Sequence, residues 1–159
     1  MSNGLVELDS VFAFKQRRVG VIGFSKQLFD TELAEAAIVA EIIKVTKEFP
    51  DLELVIVSGY TNMGVPEIAH ELANRYGLRT VGIACSKALS GFKAREFDLC
   101  KVDYSIIVGD EWGKESPTLF RYCHQFIRVG GGNQAHEEAA AIKAINKPIT
   151  EYNLPALSS

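Results

Sequence analysis

Six short runs of aliphatic and β-branched residues recur along the chain without strict polar–apolar alternation: 18–24 RVGVIGF, 53–59 ELVIVSG, 79–84 RTVGIA, 103–109 DYSIIVG, 125–129 QFIRV and 147–151 KPITE. A strand wetted on one face alternates. Strands that are apolar on both faces belong to a parallel sheet covered by helices on each side. Helix-like stretches lie between most of the runs, which predicts an α/β chain with a doubly wound parallel sheet and helices on both faces. Its 159 residues suit a single domain, 1–159, burying roughly 70% of its unfolded surface. Residues 1–14 are expected as an extended arm or an extra edge strand, and 152–159 as a surface tail.

The clearest helix is 31–48, with Leu33, Ala37, Ala40, Ile43 and Val45 on its apolar face and Glu32, Glu35, Glu41, Lys44 and Lys47 facing outward; Asp30 or Thr31 can cap it. A second spans 65–76, with Pro66 in its first turn and Gly77 at its stop. The pattern weakens over 88–101. Gly113 and Pro117 restrict 111–123 to a short helix from about Ser116 to Cys123, and 134–145 is a last helix ended by Asn146-Lys147-Pro148.

Composition narrows the function classes. No apolar run is long enough to span a bilayer, and MSNGLVELDSVFAFKQRR lacks the pattern of a secretion signal, so a cytoplasmic protein is expected. Net charge is −3 and no basic run exceeds Arg17-Arg18, which argues against nucleic acid as a partner. Cys85, Cys100 and Cys123 are widely spaced with no C-x-x-C pair, and His70, His124 and His136 have no metal-ligand spacing. Reduced, packed thiols follow from this, with no metal site and no resident cofactor. His70 is expected as a surface or half-buried residue of its helix.

In open α/β sheets, ligands bind beyond the carboxyl ends of the strands. Four loops qualify here. The first offers Gly23, Ser25 and Lys26; the second Ser58, Gly59, Thr61, Asn62 and Gly64; the third begins at Asp110; the fourth is the triplet Gly130, Gly131, Gly132 followed by Asn133. Helix-start amides and glycine backbone at one rim make a site for an anion, phosphate above all, with Thr61 and Ser25 adding hydroxyl donors. A glycine triplet implies positive φ or something too close for a β-carbon, either a ligand or a tight turn. Neither G-x-x-x-x-G-K-[ST] nor G-x-G-x-x-G is present, so a P-loop enzyme and a standard dehydrogenase are set aside.

The stretch VIVSGYTNMGVPEIAHELANRYGLRTVGIA, with IRVGGGNQAHEEAAA further on, resembles the SLOG group of Rossmann-like proteins, which includes the Lonely Guy phosphoribohydrolases once labelled lysine decarboxylases. The resemblance covers about 18–149. It implies a Rossmann-like fold and a homodimer that buries two helices, for which 31–48 and 134–145 are apolar enough. In that family the motif P-G-G-x-G-T-x-x-E binds a nucleotide phosphate, and its glutamate helps to cleave an N-glycosidic bond. Here Gly131, Gly132 and Glu138 match, while Gly130, Gln134 and Ala135 stand where the family has proline, glycine and threonine.

Two functions follow as expectations. The first is binding of a nucleotide or nucleotide-derived ligand at the carboxyl edge of the sheet, as sensor or carrier. The alternative is a nucleoside-monophosphate phosphoribohydrolase with Glu138 as catalytic residue; lysine decarboxylation is not expected. Glu137 and Glu138 can also serve simply as acids at the positive head of a helix. Glu111 and Trp112 fit a pocket wall or a subunit contact equally well, and Lys87 and Arg95 are candidate phosphate cations.

Overall fold

In the computed structural model, which describes residues 15–157, the apolar runs form one sheet: β1 Gln16–Gly23, β2 Glu53–Gly59, β3 Arg79–Ala84, β4 Tyr104–Ile107, β5 Gln125–Val129 and β6 Ile149–Tyr152. Every pairing is parallel and the strand order is β4-β3-β2-β1-β5-β6. The connecting helices are α1 Thr31–Glu48, α2 Gly64–Arg75, α3 Ser86–Lys93, α4 Ser116–Tyr122 and α5 Asn133–Ala144. This is the α/β, doubly wound, Rossmann-like architecture that the runs predict. The expected arm or edge strand at 1–14 lies outside the described residues.

Side chains on successive strand residues point to opposite faces, and both faces are apolar. Val19, Val21 and Ile127 pack beneath α1 and α2 with Ile38, Val65 and Leu72. Ile22, Val57 and Phe126 pack on the other side with Leu119 and Tyr122 of α4 and Ile142 of α5. The chain winds outward from β1 to β4, then returns across the sheet to lay β5 against the other side of β1. In open α/β sheets such a reversal is where ligands bind, which here singles out the carboxyl ends of β1 and β5.

Asp30 is the cap of α1, its carboxylate accepting from the amides of Glu32 and Leu33 at 3.0 and 3.1 Å. The buried face of α1 departs from the expectation: Ala34, Ala37, Ile38, Glu41 and Val45 are inside, while Leu33, Ala40 and Ile43 are exposed. Glu41 is tolerated because Gln125 Nε2 donates to it at 3.1 Å, and Gln125 Oε1 in turn accepts from Arg17 Nε at 2.7 Å. α3 begins at Ser86, ahead of the weakly patterned 88–101 region, and fills only its first part. Past β6, residues 153–157 fold back on the β1–α1 loop through an antiparallel bridge between Phe29 and Ala156 and a 2.8 Å bond from the Leu157 amide to the Leu28 carbonyl. Among the described residues no helix is long and apolar enough to cross a membrane.

Gly130 follows β5 with φ +60°, and a β-carbon there would collide with the Phe24 ring. Gly130→Ala should therefore lose roughly 2–5 kcal/mol, combining left-handed strain with overpacking, and Phe24→Leu should restore part of that loss. Urea unfolding of the single and double variants measures both effects.

Candidate functional site

The β1–α1 loop, residues 24–30, is the hub of the carboxyl rim. The Phe24 carbonyl accepts from the Val65 amide of α2 at 2.8 Å, and the Phe24 amide donates to the Val129 carbonyl of β5 at 3.3 Å. Gly64, at φ +62°, lies so close to the backbone of Phe24 and Ser25 that no β-carbon fits. On the other flank the Gln27 side-chain nitrogen reaches within 2.9 Å of where a Gly132 β-carbon would stand. Segments 59–64 and 130–133 thus border one loop. Gly23, Ser25, Lys26, Gly64, Gly130, Gly131, Gly132 and Asn133 belong to this neighbourhood, with Ser25, Lys26 and Asn133 exposed; Gly59, Thr61 and Asn62 precede Gly64 in the same β2–α2 connection, where Thr61 and Asn62 pair with 98–99.

Two expected members do not join them. Ser58 is buried and its hydroxyl donates to the Val21 carbonyl at 2.7 Å, so it ties β2 to β1. Asp110 follows β4, at the far edge of the sheet, four strands from β5 and hence roughly 19 Å away. Its neighbours belong to the α3 corner: Lys87 pairs with Glu111 at 2.7 Å, and Trp112 meets Phe97 edge to face. Lys87 is engaged there and does not reach over the glycine loop. The triplet also has an internal cause, since Phe24 crowds Gly130 and Ala135 crowds Gly131.

The helix starts at this rim differ in how much positive end remains. Asp30 and Glu32 answer the start of α1. The start of α2 has no side-chain cap but has Glu67 in its first turn. Burial, reinforced by Glu71, raises the Glu67 carboxyl above its ordinary range. The start of α5 has neither a side-chain cap nor an acid in its first turn, and Gly131 and Gly132 lead directly into it. It is the most open anion end of the three.

Because α5 begins at Asn133, Glu137 and Glu138 fall in its second turn and do not serve as dipole acids at its head. Glu137 is exposed. Glu138 turns toward α4 and accepts from Ser116 Oγ at 2.9 Å. Burial raises its carboxyl above the usual range; the Ser116 bond opposes that, and nearby Glu115 adds to it.

Sequence reasoning missed Gln27 and underrated His70. His70 is buried, with Nε2 2.9 Å from the Gly59 carbonyl at the end of β2, so it braces the β2–α2 loop from behind. No local pattern distinguishes such a histidine from a surface one. Desolvation lowers its pKa to about 4, against the hydrogen bonds to backbone that favour its charged form. The same loop pairs with 98–100 through the Asn62 amide to the Asp98 carbonyl and the Cys100 amide to the Tyr60 carbonyl. Cys85, Cys100 and Cys123 are free and buried; burial pushes the Cys100 thiol up to about 12. Among the described residues no cluster of His, Cys, Asp or Glu could hold a metal ion. A concavity of about 500 Å³ lies at the opposite, amino end of the sheet, lined by Glu53, Asn74, Arg79 and Asp103 among others. Arg79 and Glu53 pair there, and none of the rim residues lines it.

No protein-family model matches the chain, and no curated protein matches it in sequence. Solved structures do match. The molybdenum cofactor binding protein from the phototrophic bacterium Rippkaea orientalis superposes with a TM-score of 0.68 at 22% identity, covering 89% of this chain and 78% of that one. The molybdenum cofactor carrier protein from Chlamydomonas reinhardtii gives a TM-score of 0.66 at 18% identity, covering 86% and 76%. The protein TM1055 gives 0.64 at 18%, covering 84% and 72%. At these identities the likeness establishes a shared Rossmann-like fold.

The buried neutral His70 makes a prediction about acid. Between about pH 6.5 and pH 4 the unfolded chain binds a proton at this residue and the folded chain does not, so stability falls as pH falls through that window, by about 3 kcal/mol. Glu138, whose pKa is raised, contributes with the opposite sign, which makes a difference measurement the right one. His70→Gln keeps an N–H for the Gly59 carbonyl and removes the titration. Its unfolding free energy should lose about 3 kcal/mol less than that of the parent between pH 7 and pH 4.

Proposed function

We propose that the chain is a small-molecule binding protein of carrier type whose cargo bears a phosphate, held in the crevice between the ends of β1 and β5. The observation supporting this is the uncapped, acid-free start of α5 behind Gly131 and Gly132, beside the exposed Ser25, Lys26 and Gln27. Amides of the glycine loop take the phosphate, Lys26 supplies the cation, and Thr61 and Asn62 line the α2 side. The solved neighbours named for the molybdenum cofactor make that compound the first cargo to test. Nucleoside monophosphates are the second.

A second reading, N-glycosidic hydrolysis of a nucleoside monophosphate, is favoured by one observation: Glu138 is a carboxyl raised above its ordinary range and hydrogen-bonded to Ser116. One panel separates the two. Unfolding is followed with the molybdenum cofactor, AMP, GMP, CMP and inorganic phosphate, and the products are assayed for free base. A true ligand at about 100 times its Kd adds roughly 2.7 kcal/mol, and Lys26→Ala should weaken it about tenfold, or about 1.4 kcal/mol. Binding without base release supports the carrier. Base release that Glu138→Gln abolishes supports the hydrolase, and no stabilisation by any member refutes the binding reading.

We also propose a homodimer built on α1, whose outer face presents Leu33 and Ile43, 53% and 48% exposed, on either side of Ala36 and Ala40. Light scattering should give twice the 17.5 kDa chain mass, and Ile43→Glu should return the monomer.

A further inference from the structure

The glycine loop is anchored by a charge that the binding reading does not use. Arg128, next to the last residue of β5, has a side chain only 2% exposed, yet each of its three guanidinium nitrogens donates a hydrogen bond. Nε donates to Glu151 Oε1 of β6 at 2.9 Å, Nη1 donates to the Gly130 carbonyl at 2.7 Å, and Nη2 donates to Asn153 Oδ1. The second oxygen of Glu151 accepts from Lys143 Nζ of α5 at 2.6 Å. The Gly130 amide donates to the Tyr152 carbonyl of β6 at 2.8 Å, so Gly130 is held at its N–H by β6 and at its carbonyl by Arg128. Segment 153–157 continues from these contacts to Leu28 and Phe29 of the β1–α1 loop. One guanidinium therefore links the last strand, the glycine loop and α5, and the stretch beyond it reaches the other loop of the rim.

The Gly130–Gly131 peptide is planar and trans, so its carbonyl and its N–H point in opposite directions. Fixing the Gly130 carbonyl on Arg128 consequently aims the Gly131 N–H away from the buried guanidinium. Rotating the peptide would leave both the carbonyl and one N–H of the buried guanidinium without a partner, which is costly, so the peptide has little freedom to turn while the network is intact. We propose that Arg128 is a positioning residue for the glycine loop: held by Glu151 and Asn153, it fixes the Gly130 carbonyl and thereby presents the Gly131 amide to an anion it never touches itself. The ligand half of this proposal rests on the binding reading above; the loop-fixing half does not.

Both halves are tested on the whole chain with Arg128→Met, the milder Arg128→Lys and Asn153→Ala, and with Val81→Ala as a control weakened in the core of β3 away from the rim. In the unliganded proteins, hydrogen exchange of the Gly130 amide should accelerate tenfold or more in Arg128→Met relative to Val81→Ala, with a shift of the Gly131 amide resonance; exchange matching the control overturns the proposal. AMP and inorganic phosphate are then titrated by following the Gly131 and Gly132 amides. Affinity tenfold or more weaker in Arg128→Met, intermediate in Arg128→Lys and Asn153→Ala, and unchanged in Val81→Ala supports the ligand half. Wild-type binding that Arg128→Met retains within twofold overturns it. If the wild type binds neither probe, the phosphate reading and the ligand half fall together, while Gly130 exchange still decides whether Arg128 fixes the loop. Should Arg128→Met fail to fold, Asn153→Ala and Arg128→Lys give the same readings at smaller amplitude.

Discussion

The rim of this molecule depends on how closely the ends of β1 and β5 approach one another. Strand reversal puts them side by side, and the Phe24 ring closes over Gly130 where any side chain would strike it. Phe24 also stacks on Phe29 at 5.1 Å, so the ring that covers the glycine is held by the next turn of the same loop. The β1–α1 loop is thereby fastened to β5 on one flank and, through the Phe24 carbonyl, to the first turn of α2 on the other. The open helix start and the exposed polar side chains of the loop inherit their spacing from that fastening.

The electrostatics of the rim are graded. The five helices of the described residues run back from the carboxyl edge, but those that the chain caps or furnishes with acids have little left to offer an anion. Asp30 closes α1, and Glu67 partly answers α2. α3 and α4 also start without cap or acid, but of the three starts that border the β1–α1 loop only that of α5 is open, and it lies beside Gly131 and Gly132. A chain of net charge −3 can thus keep one locally positive spot, provided its acids stand elsewhere.

Strands and most helices were legible in the sequence because their signals are local: unbroken apolar runs for buried parallel strands, Pro66 and Gly77 for the limits of α2, Asn146 and Pro148 for the end of α5. Features needing the strand order were not. Asp110 resembled a rim residue until β4 proved to be at the outer edge, and Ser58 resembled a ligand hydroxyl until the pleat turned it toward β1. Arg128 was invisible as an anchor because Glu151 and Asn153 lie more than twenty residues on and meet it only through pairing of β5 with β6. Of the glycine loop, the positive φ angles were readable, while the rings and methyls crowding it were not.

The orientation of α1 was misjudged for a related reason. Of the expected inner face Ala37 and Val45 are inside, but Leu33, Ala40 and Ile43 are exposed, and Ala34, Ile38 and Glu41 take their place against the sheet. Small residues bring the helix axis nearer the strands, and the Glu41–Gln125 bond acts as a key that fits only one angular setting. Rolling α1 by one residue, about 100°, would place bulkier side chains beneath it and lift it from the sheet. The preceding loop, tethered to its first turn, would rise as well. The height of the β1–α1 loop above the sheet is therefore set in part by side chains on the buried face of a helix that it merely precedes.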